Sequence, residues 1–501
     1  MNASSKYFAS LQLTPGFWQK LAWLVLAAGI LLRLAIWWQQ RPVLLDEANL
    51  IRNFVERSYS GLFQNLDYEQ YAPPLFSVMV KASLDLFGNN ELSARLFPLL
   101  CSIATLVLFY RLSRRFLNWP AATAALAFVA FGKIFIDYAT QCKQYAADGL
   151  ATILLLELFF RISPPKGFNR NTFIWSLMGA VIIWFSMPSV FTLAGIGIYW
   201  LIKSWQLKSK KAFLGSVFAG CCWILSFAIY FRLLLLQNAQ SDYLQNFHRD
   251  YFLAFPPLNL ADLQLLGNQL NRIVSKAIGK TAIAVILTAI AFTAVLREIV
   301  LHRKEARYQV ILCLLLLPIF FCFAASALKY YSLLARLTLF FLPLLILLVF
   351  LGLQGLAKTR LLSGIIAVLV IIVLGNSQQL TAINQPFHSD FAEVRDGLQF
   401  IARQQQPDEV IIASDDVLPV VRYYTQHHQT PIQLQNVDLA ALGYGNSLAT
   451  KLDSLRHLGH QKVWVVASIH DPAFAEILAQ PDRILKREDH YFSYALLYKL
   501  Q

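Results

Sequence analysis

Apolar runs of about twenty residues recur from near the start of this chain to about residue 378. A helix needs a run of that length to cross the hydrocarbon of a bilayer. The composition agrees. Hydrophobic residues make up 57% and charged residues only 14%, against roughly 25% charged in soluble domains, and the mean hydropathy is +0.50. A net charge of +14 by itself suggests a nucleic-acid partner. The basic residues, however, fall in short clusters between apolar runs, which is the pattern of the positive-inside rule. Cys101, Cys221, Cys222, Cys313 and Cys322 lie in apolar segments and the polar tail has none, so neither a disulfide framework nor a zinc site is indicated. The first apolar run lacks a small-residue cleavage site and is expected to be retained as an anchor.

The expected spans are near 21–40, 92–112, 120–137, 146–162, 173–187, 188–203, 212–236, 277–296, 308–327, 337–354 and 361–378, about eleven in all. Pro73-Pro74-Leu75 opens a further apolar piece ending at Phe87. At about 14 residues it is short for a span and suits an interfacial or half-helix. With that piece interfacial, Arg111, Arg114 and Arg115 lie in the cytoplasm, as do the later clusters around Lys166, Lys203, Lys208, Arg297, Arg303 and Lys358. The N-terminus is then inside, and an odd number of spans puts the C-terminus outside. Segments 39–91, 137–146, 237–276 and 328–336 face outward, together with the tail from 379. Segment 237–276 mixes Tyr243, Phe247, Tyr251, Phe252 and Phe255 with His248, Arg249 and Asp250, and reads as an aromatic loop on the bilayer surface.

The tail alternates helix and strand signals. Phe391, Val394, Leu398 and Ile401 share a helix face over 391–404. Residues 409–413 and 462–467 read as buried strands, 418–425 as helical, and 491–499 as an edge strand. Such alternation suggests a small α/β domain. The expected fold is therefore an α-helical polytopic membrane protein over 1–378 with a small C-terminal α/β domain over 379–501. No GxGxxG, Walker A, HExxH or GxSxG motif is present.

Three polar constellations interrupt the apolar pattern. Asp46 and Glu47 follow the first span, where adjacent carboxylates are costly near hydrocarbon. Such a pair can act as a base or hold a divalent metal, or it can simply start an interfacial helix with Asp46 as N-cap. In 137–148, Gln141, Tyr145 and Asp148 fall at i, i+4 and i+7 on one helix face, with Lys143 beside them. The blander reading there is a polar turn, but Asp148 sits where the next span should already be apolar. Lys329 and Arg336 lie on an outward loop against the positive-inside trend. They can pair with an anionic headgroup or a diphosphate, or snorkel. Arg33 and Arg95 lie at span ends and can either neutralise Asp46 or Glu47 or snorkel. Pro73-Pro74 is sufficiently explained as punctuation before a helix.

In order, Asp46-Glu47, Pro73-Pro74-Leu75, Phe87-Gly88, Arg95, Lys143-Gln144-Tyr145-x-x-Asp148, the strand opening Pro407-Asp408-Glu409-Val410 and Arg422-Tyr423-Tyr424 resemble the GT-C superfamily of polyprenyl-phosphate-dependent glycosyltransferases. The nearest branch is that of bacterial membrane proteins related to protein O-mannosyltransferases and the lipid A aminoarabinose transferase. The resemblance implies that a lipid-linked sugar phosphate enters from the bilayer and that an acceptor hydroxyl arrives from outside. The acceptor would be a glycolipid, a polysaccharide or a protein. By analogy Asp46 is the general base of an inverting transfer, and Glu47 orients the acceptor or a metal. Lys143, Tyr145 and Asp148 bind donor phosphate and acceptor, with Arg95, Lys329 and Arg336 as further phosphate candidates. A divalent metal (Mg, Mn or Zn) on Asp46, Glu47 and Asp148 is the only cofactor implied. Where many relatives carry a Lys or His before Pro-Pro, this chain has Ala72, so another cation must meet the donor phosphate. The implied location is a bacterial inner membrane. The competing functions are a transporter or lipid flippase and a non-catalytic membrane scaffold.

Overall fold

The computed structural model describes residues 15–239, 241–279, 282–356, 394–407, 409–434, 448–468, 471–490 and 493–500. Helix follows helix through most of it. Among the described residues five helices are long and apolar enough to cross a membrane: Gly16–Trp38, Glu91–Phe116, Lys210–Leu235, Ala282–Leu301 and Ala306–Ala327. Other expected spans appear as shorter helices, including Trp119–Phe131, Tyr145–Arg161, Arg170–Phe185, Ser189–Gln206 and Leu342–Leu356. The expected span at 361–378 lies outside the described residues. Local sequence accounts for the shortening. The run read as 120–137 breaks at Gly132 and resumes as Lys133–Asp137, closed by a Lys133–Asp137 ion pair of 2.9 Å. The spans read as 173–187 and 188–203 are parted, near the expected boundary, by the Ser186–Pro188 turn. In the helix ending at Ala327, a π-helical turn over Ile311–Leu316 precedes Pro318, whose missing N–H cannot continue the regular ladder.

The chain forms two compact units. The first contains Met1–Ile36, Pro73–Phe76 and Pro98–Thr381, and the second contains Trp37–Ala72, Ser77–Phe97 and Ala382–Gln501. In the first, Arg170–Phe185 packs along Lys210–Tyr230, and Ala282–Leu301 along Leu342–Leu356. Without a hydrophobic drive between helices in lipid, close approach and polar contacts do the joining. Trp175 is fully buried, stacks edge-on against Trp200 at 5.0 Å, and accepts at its carbonyl from Trp223 Nε1 at 2.9 Å. A Cβ at Gly352 would stand 2.1 Å from the Ala291 carbonyl oxygen, and one at Gly195 would stand 2.2 Å from that of Cys313. Arg33 neither snorkels nor neutralises the acidic pair. It is fully buried, and donates to Ser102 Oγ (2.8 Å), Gly29 O (2.9 Å), Ala130 O (2.7 Å) and Val129 O (2.9 Å).

The segment read as a surface loop, 237–276, contains the helices Asp242–His248 and Leu260–Ala277. Asn259 starts the second by accepting from Asp262 N at 2.9 Å, an N-cap that aromatic content alone does not reveal.

In the second unit the tail forms a four-stranded sheet. Its strands are β1 (Val410–Ala413), β2 (Lys462–Ser468), β3 (Ile484–His490) and β4 (Ser493–Lys499), in the order β1-β2-β4-β3. β1 and β2 are parallel, and β4 is antiparallel to both of its neighbours. The expected edge strand at 491–499 is therefore an inner strand. Its partner β3 reads Ile-Leu-Lys-Arg-Glu-Asp-His, and a charged sequence of that kind suits an edge while hiding a strand from a hydropathy reading. Helices Leu448–His457 and Pro472–Leu478 were not expected either. The expected helix over 391–404 is described from Arg395 to Gln404, and Phe391 lies outside the described residues.

Gly352→Ala is expected to wedge Ala282–Leu301 away from Leu342–Leu356 and to destabilise the bundle by about 1–3 kcal/mol, the usual effect of overpacking. Gly220→Ala, with nothing within 4 Å of the added carbon, is the control. Thermal unfolding in detergent should separate the two variants.

Candidate active site

After the first long helix the chain runs without helix or strand through Gln40–Leu44 and then turns into the helix Leu45–Glu56. Asp46 is not the N-cap of that helix. Leu44 holds that place, and Asp46 lies half-buried in the first turn. Glu47 beside it is buried and gripped by Arg95, whose Nε and Nη2 donate to its two oxygens at 2.9 and 2.7 Å. Glu47 Oε2 also accepts from Leu44 N at 3.2 Å. This two-bonded fork is the strongest form of a carboxylate pair. Arg95 also donates to the carbonyls of Arg41 (2.6 Å) and Pro42 (3.1 Å). Of the alternatives left open by the sequence, Arg95 takes that of neutralising Glu47.

A second buried carboxylate, Glu91, opens the helix that carries Arg95. Its Oε1 accepts from Tyr424 Oη at 2.9 Å and from Arg395 Nη1 at 3.0 Å, and His428 Nε2 stands 3.1 Å from its Oε2. The same two side chains reach the segment Gln40–Leu44. Arg395 Nη1 donates to Gln40 O at 2.7 Å, and Tyr424 Oη accepts from Val43 N at 2.8 Å. Burial and the Glu91 carboxylate push the Tyr424 phenol well above its usual range, so it keeps its proton and donates. Burial opposes charge on His428, but the hydrogen bond and charge of Glu91 outweigh it and raise the imidazole above its ordinary value. Sequence reasoning did not single out Glu91, Arg395 or His428. The available signal was an acidic residue four positions before Arg95 at a helix start.

The remaining predicted residues belong to the first unit. Lys143 is buried in the turns before Tyr145–Arg161, its N–H donating to Gln141 O at 2.8 Å. Gln141 itself lies in those turns and does not share the helix face of Tyr145 and Asp148. Tyr145 packs edge-on against Tyr138 at 4.9 Å, and Asp148 is buried one turn further along. Lys329 is exposed with φ +63 at the turn after Leu317–Ala327. Arg336 is half-buried in the short turn Ala335–Thr338. Near it, His248 Nδ1 lies 3.0 Å from Ser332 Oγ, and burial and then the Arg336 charge push this imidazole down to about 4.

The acidic pair is thus divided, with Glu47 committed to Arg95. Among the described residues no group of three or more His, Cys, Asp and Glu side chains is placed to hold a metal ion.

The sign of the His428 shift sets a pH dependence. A base whose folded value is raised contributes stability in full below its unfolded value, near 6.5, and loses that contribution as pH rises through the folded value. Amide protection around 424–432, taken relative to the intrinsic base-catalysed exchange rate, is expected to fall as pH rises above about 6.5, and His428→Gln should flatten that response.

Residues 71–231, about a third of the chain, match the family described as dolichyl-phosphate-mannose-protein mannosyltransferase. No curated relative matches the chain in sequence. Among solved structures, the chain is similar to ArnT from Cupriavidus metallidurans in its apo state, at 14% identity over 95% of this chain and 97% of that one, with a TM-score of 0.41. It is also similar to the oligosaccharyltransferase of Archaeoglobus fulgidus in complex with zinc and sulfate, at 12% identity over 90% and 68%, with a TM-score of 0.48. The matched stretch takes in Lys143, Tyr145 and Asp148 and supports the resemblance to the GT-C glycosyltransferases.

Proposed function

We propose that this protein transfers a sugar from a polyprenyl-phosphate-linked donor to an acceptor hydroxyl on the outer side of a bacterial inner membrane, with inversion at the sugar carbon. The observation that carries this reading is the family match over 71–231, whose description concerns a lipid-phosphate-linked sugar. In this reading residues 1–378 form the catalytic membrane domain and the tail from 379 is extracytoplasmic.

Asp46 accepts the proton of the acceptor hydroxyl as its oxygen attacks the anomeric carbon. The bond from that carbon to the phosphate oxygen breaks on the opposite face, and the polyprenyl phosphate leaves with the electron pair. Charge grows on the leaving phosphate, so cations placed near it favour the transition state over the ground state. Lys143, Arg336 and Lys329 are assigned that role, which the residue at Ala72 cannot fill. Asp148 and Tyr145 orient the sugar or the acceptor. Glu47 and Arg95 orient Asp46, because a carboxylate already forked by a guanidinium is a poor base. The acceptor is a glycolipid, a polysaccharide or a protein.

The test uses purified protein in lipid with a panel of labelled polyprenyl-phosphate sugars and an extracted envelope fraction. Wild type is expected to transfer one of the sugars. Asp46→Asn, with unchanged thermal stability, is expected to lose roughly 10²–10⁴-fold in kcat, the usual worth of a general base. Equal transfer by both proteins would remove Asp46 from the role. Export of the labelled lipid without transfer would favour a flippase.

A further inference from the structure

Every residue from Gln40 to Leu44 has a backbone group held by a side chain. Gln40 O takes Arg395, Arg41 O and Pro42 O take Arg95, Val43 N gives to Tyr424, and Leu44 N gives to Glu47. A segment with no ladder of its own ordinarily leaves such groups to water. Gln40 also adopts φ +47, a left-handed conformation that costs a non-glycine residue of the order of 1 kcal/mol and persists only where its surroundings impose it. Two of the five holding contacts come from the C-terminal tail, through Arg395 and Tyr424, and both of those side chains also close on Glu91. Asp46 follows two residues after the clamped segment.

We infer that the C-terminal tail is a positioning element for the base: Tyr424 and Arg395, fixed by Glu91, hold Gln40–Leu44 and so set where the Asp46 carboxylate stands. This deepens the glycosyltransferase reading and rests on it. Tyr424 and Arg395 touch neither substrate nor the reacting atoms, and they act only through the segment they hold. A base misplaced by about an ångström loses rate while substrate affinity is kept.

The experiment pairs sugar transfer with amide exchange on the full-length protein in lipid. Tyr424→Phe keeps the packed ring and gives up both hydrogen bonds. Its kcat is expected to fall roughly 10- to 100-fold with the donor KM nearly unchanged, and Val43 and Leu44 amides should exchange about 10-fold faster or more. In an Asp46→Asn background the same substitution should cost little further, because residues acting through one group are not additive. Arg487→Ala, which breaks an exposed pair with Asp489 on the sheet edge, should leave transfer unchanged. If Tyr424→Phe does not fold, Arg395→Lys retains a cation for Glu91 while loosening Gln40, and the same readouts apply. Wild-type kcat in Tyr424→Phe, or a loss that adds in full to Asp46→Asn, overturns the inference. If wild type transfers no sugar, the glycosyltransferase reading fails, and the exchange arm still decides the clamp: unchanged Val43 and Leu44 exchange overturns it.

Discussion

A carboxylate taken out of water needs charged partners and hydrogen bonds to replace its hydration, and the second unit is organised around two of them. Glu47 and Glu91 are both almost fully buried. Glu47 is matched by the fork of Arg95, and Glu91 by Tyr424, Arg395 and His428. Removing one partner of such an arrangement leaves an uncompensated charge and typically costs about 3–5 kcal/mol. The geometry of the acidic segment is therefore tied to the integrity of both clusters. Arg95 and Glu91 lie one helical turn apart on the same helix, so the two clusters share a rigid support.

The first unit follows a different physical rule. Its helices have long apolar faces, many of them exposed, as at Leu31, Leu177, Ile224 and Ile286, which suits contact with lipid chains. Burial of apolar surface cannot drive such helices together inside a bilayer, so contact depends on small residues and on satisfied polar groups. Gly195 and Gly352 provide the close approaches, and the Trp223–Trp175 bond and the Arg33 fan of donors provide the polar contacts. Glu157, buried near a helix end, is met by Arg115 and Arg161 at 3.3 Å each. Each of these charges is matched by a partner from its own or a neighbouring helix.

These rules explain what could be read from the sequence. Long apolar runs report directly on helices, so those at Gly16–Trp38, Glu91–Phe116 and Lys210–Leu235 were plain. Breaks within runs depend on single residues such as Gly132, whose effect on length hydropathy averages away, whereas the break near Pro188 was legible. β1 and β2 were legible as short β-branched runs, whereas β3 is charged and shows itself only through its register with β4. At the site, Asp46, Glu47 and Arg95 stood out as charges beside apolar runs. Arg395 and His428 did not, and Tyr424 entered only within Arg422-Tyr423-Tyr424, because residues more than 300 positions from Glu91 in sequence meet it only through the fold.

The adjacent carboxylates at 46 and 47 are chemically alike in sequence and differ in what surrounds them. In the proposed transfer a base must be placed precisely, and precise placement requires neighbours that do not move. Glu47 takes the ion pair and anchors the first turn to Arg95, and Asp46 is carried on that turn. The residues before the turn are held at one backbone group in each of five successive residues, so little conformational freedom is left upstream of it. In the proposed transfer, preorganisation of this kind would lower the barrier by setting geometry before substrate arrives. Its cost is borne by the fold, in the left-handed Gln40 and in two desolvated carboxylates, and strain of that sort concentrates at functional sites.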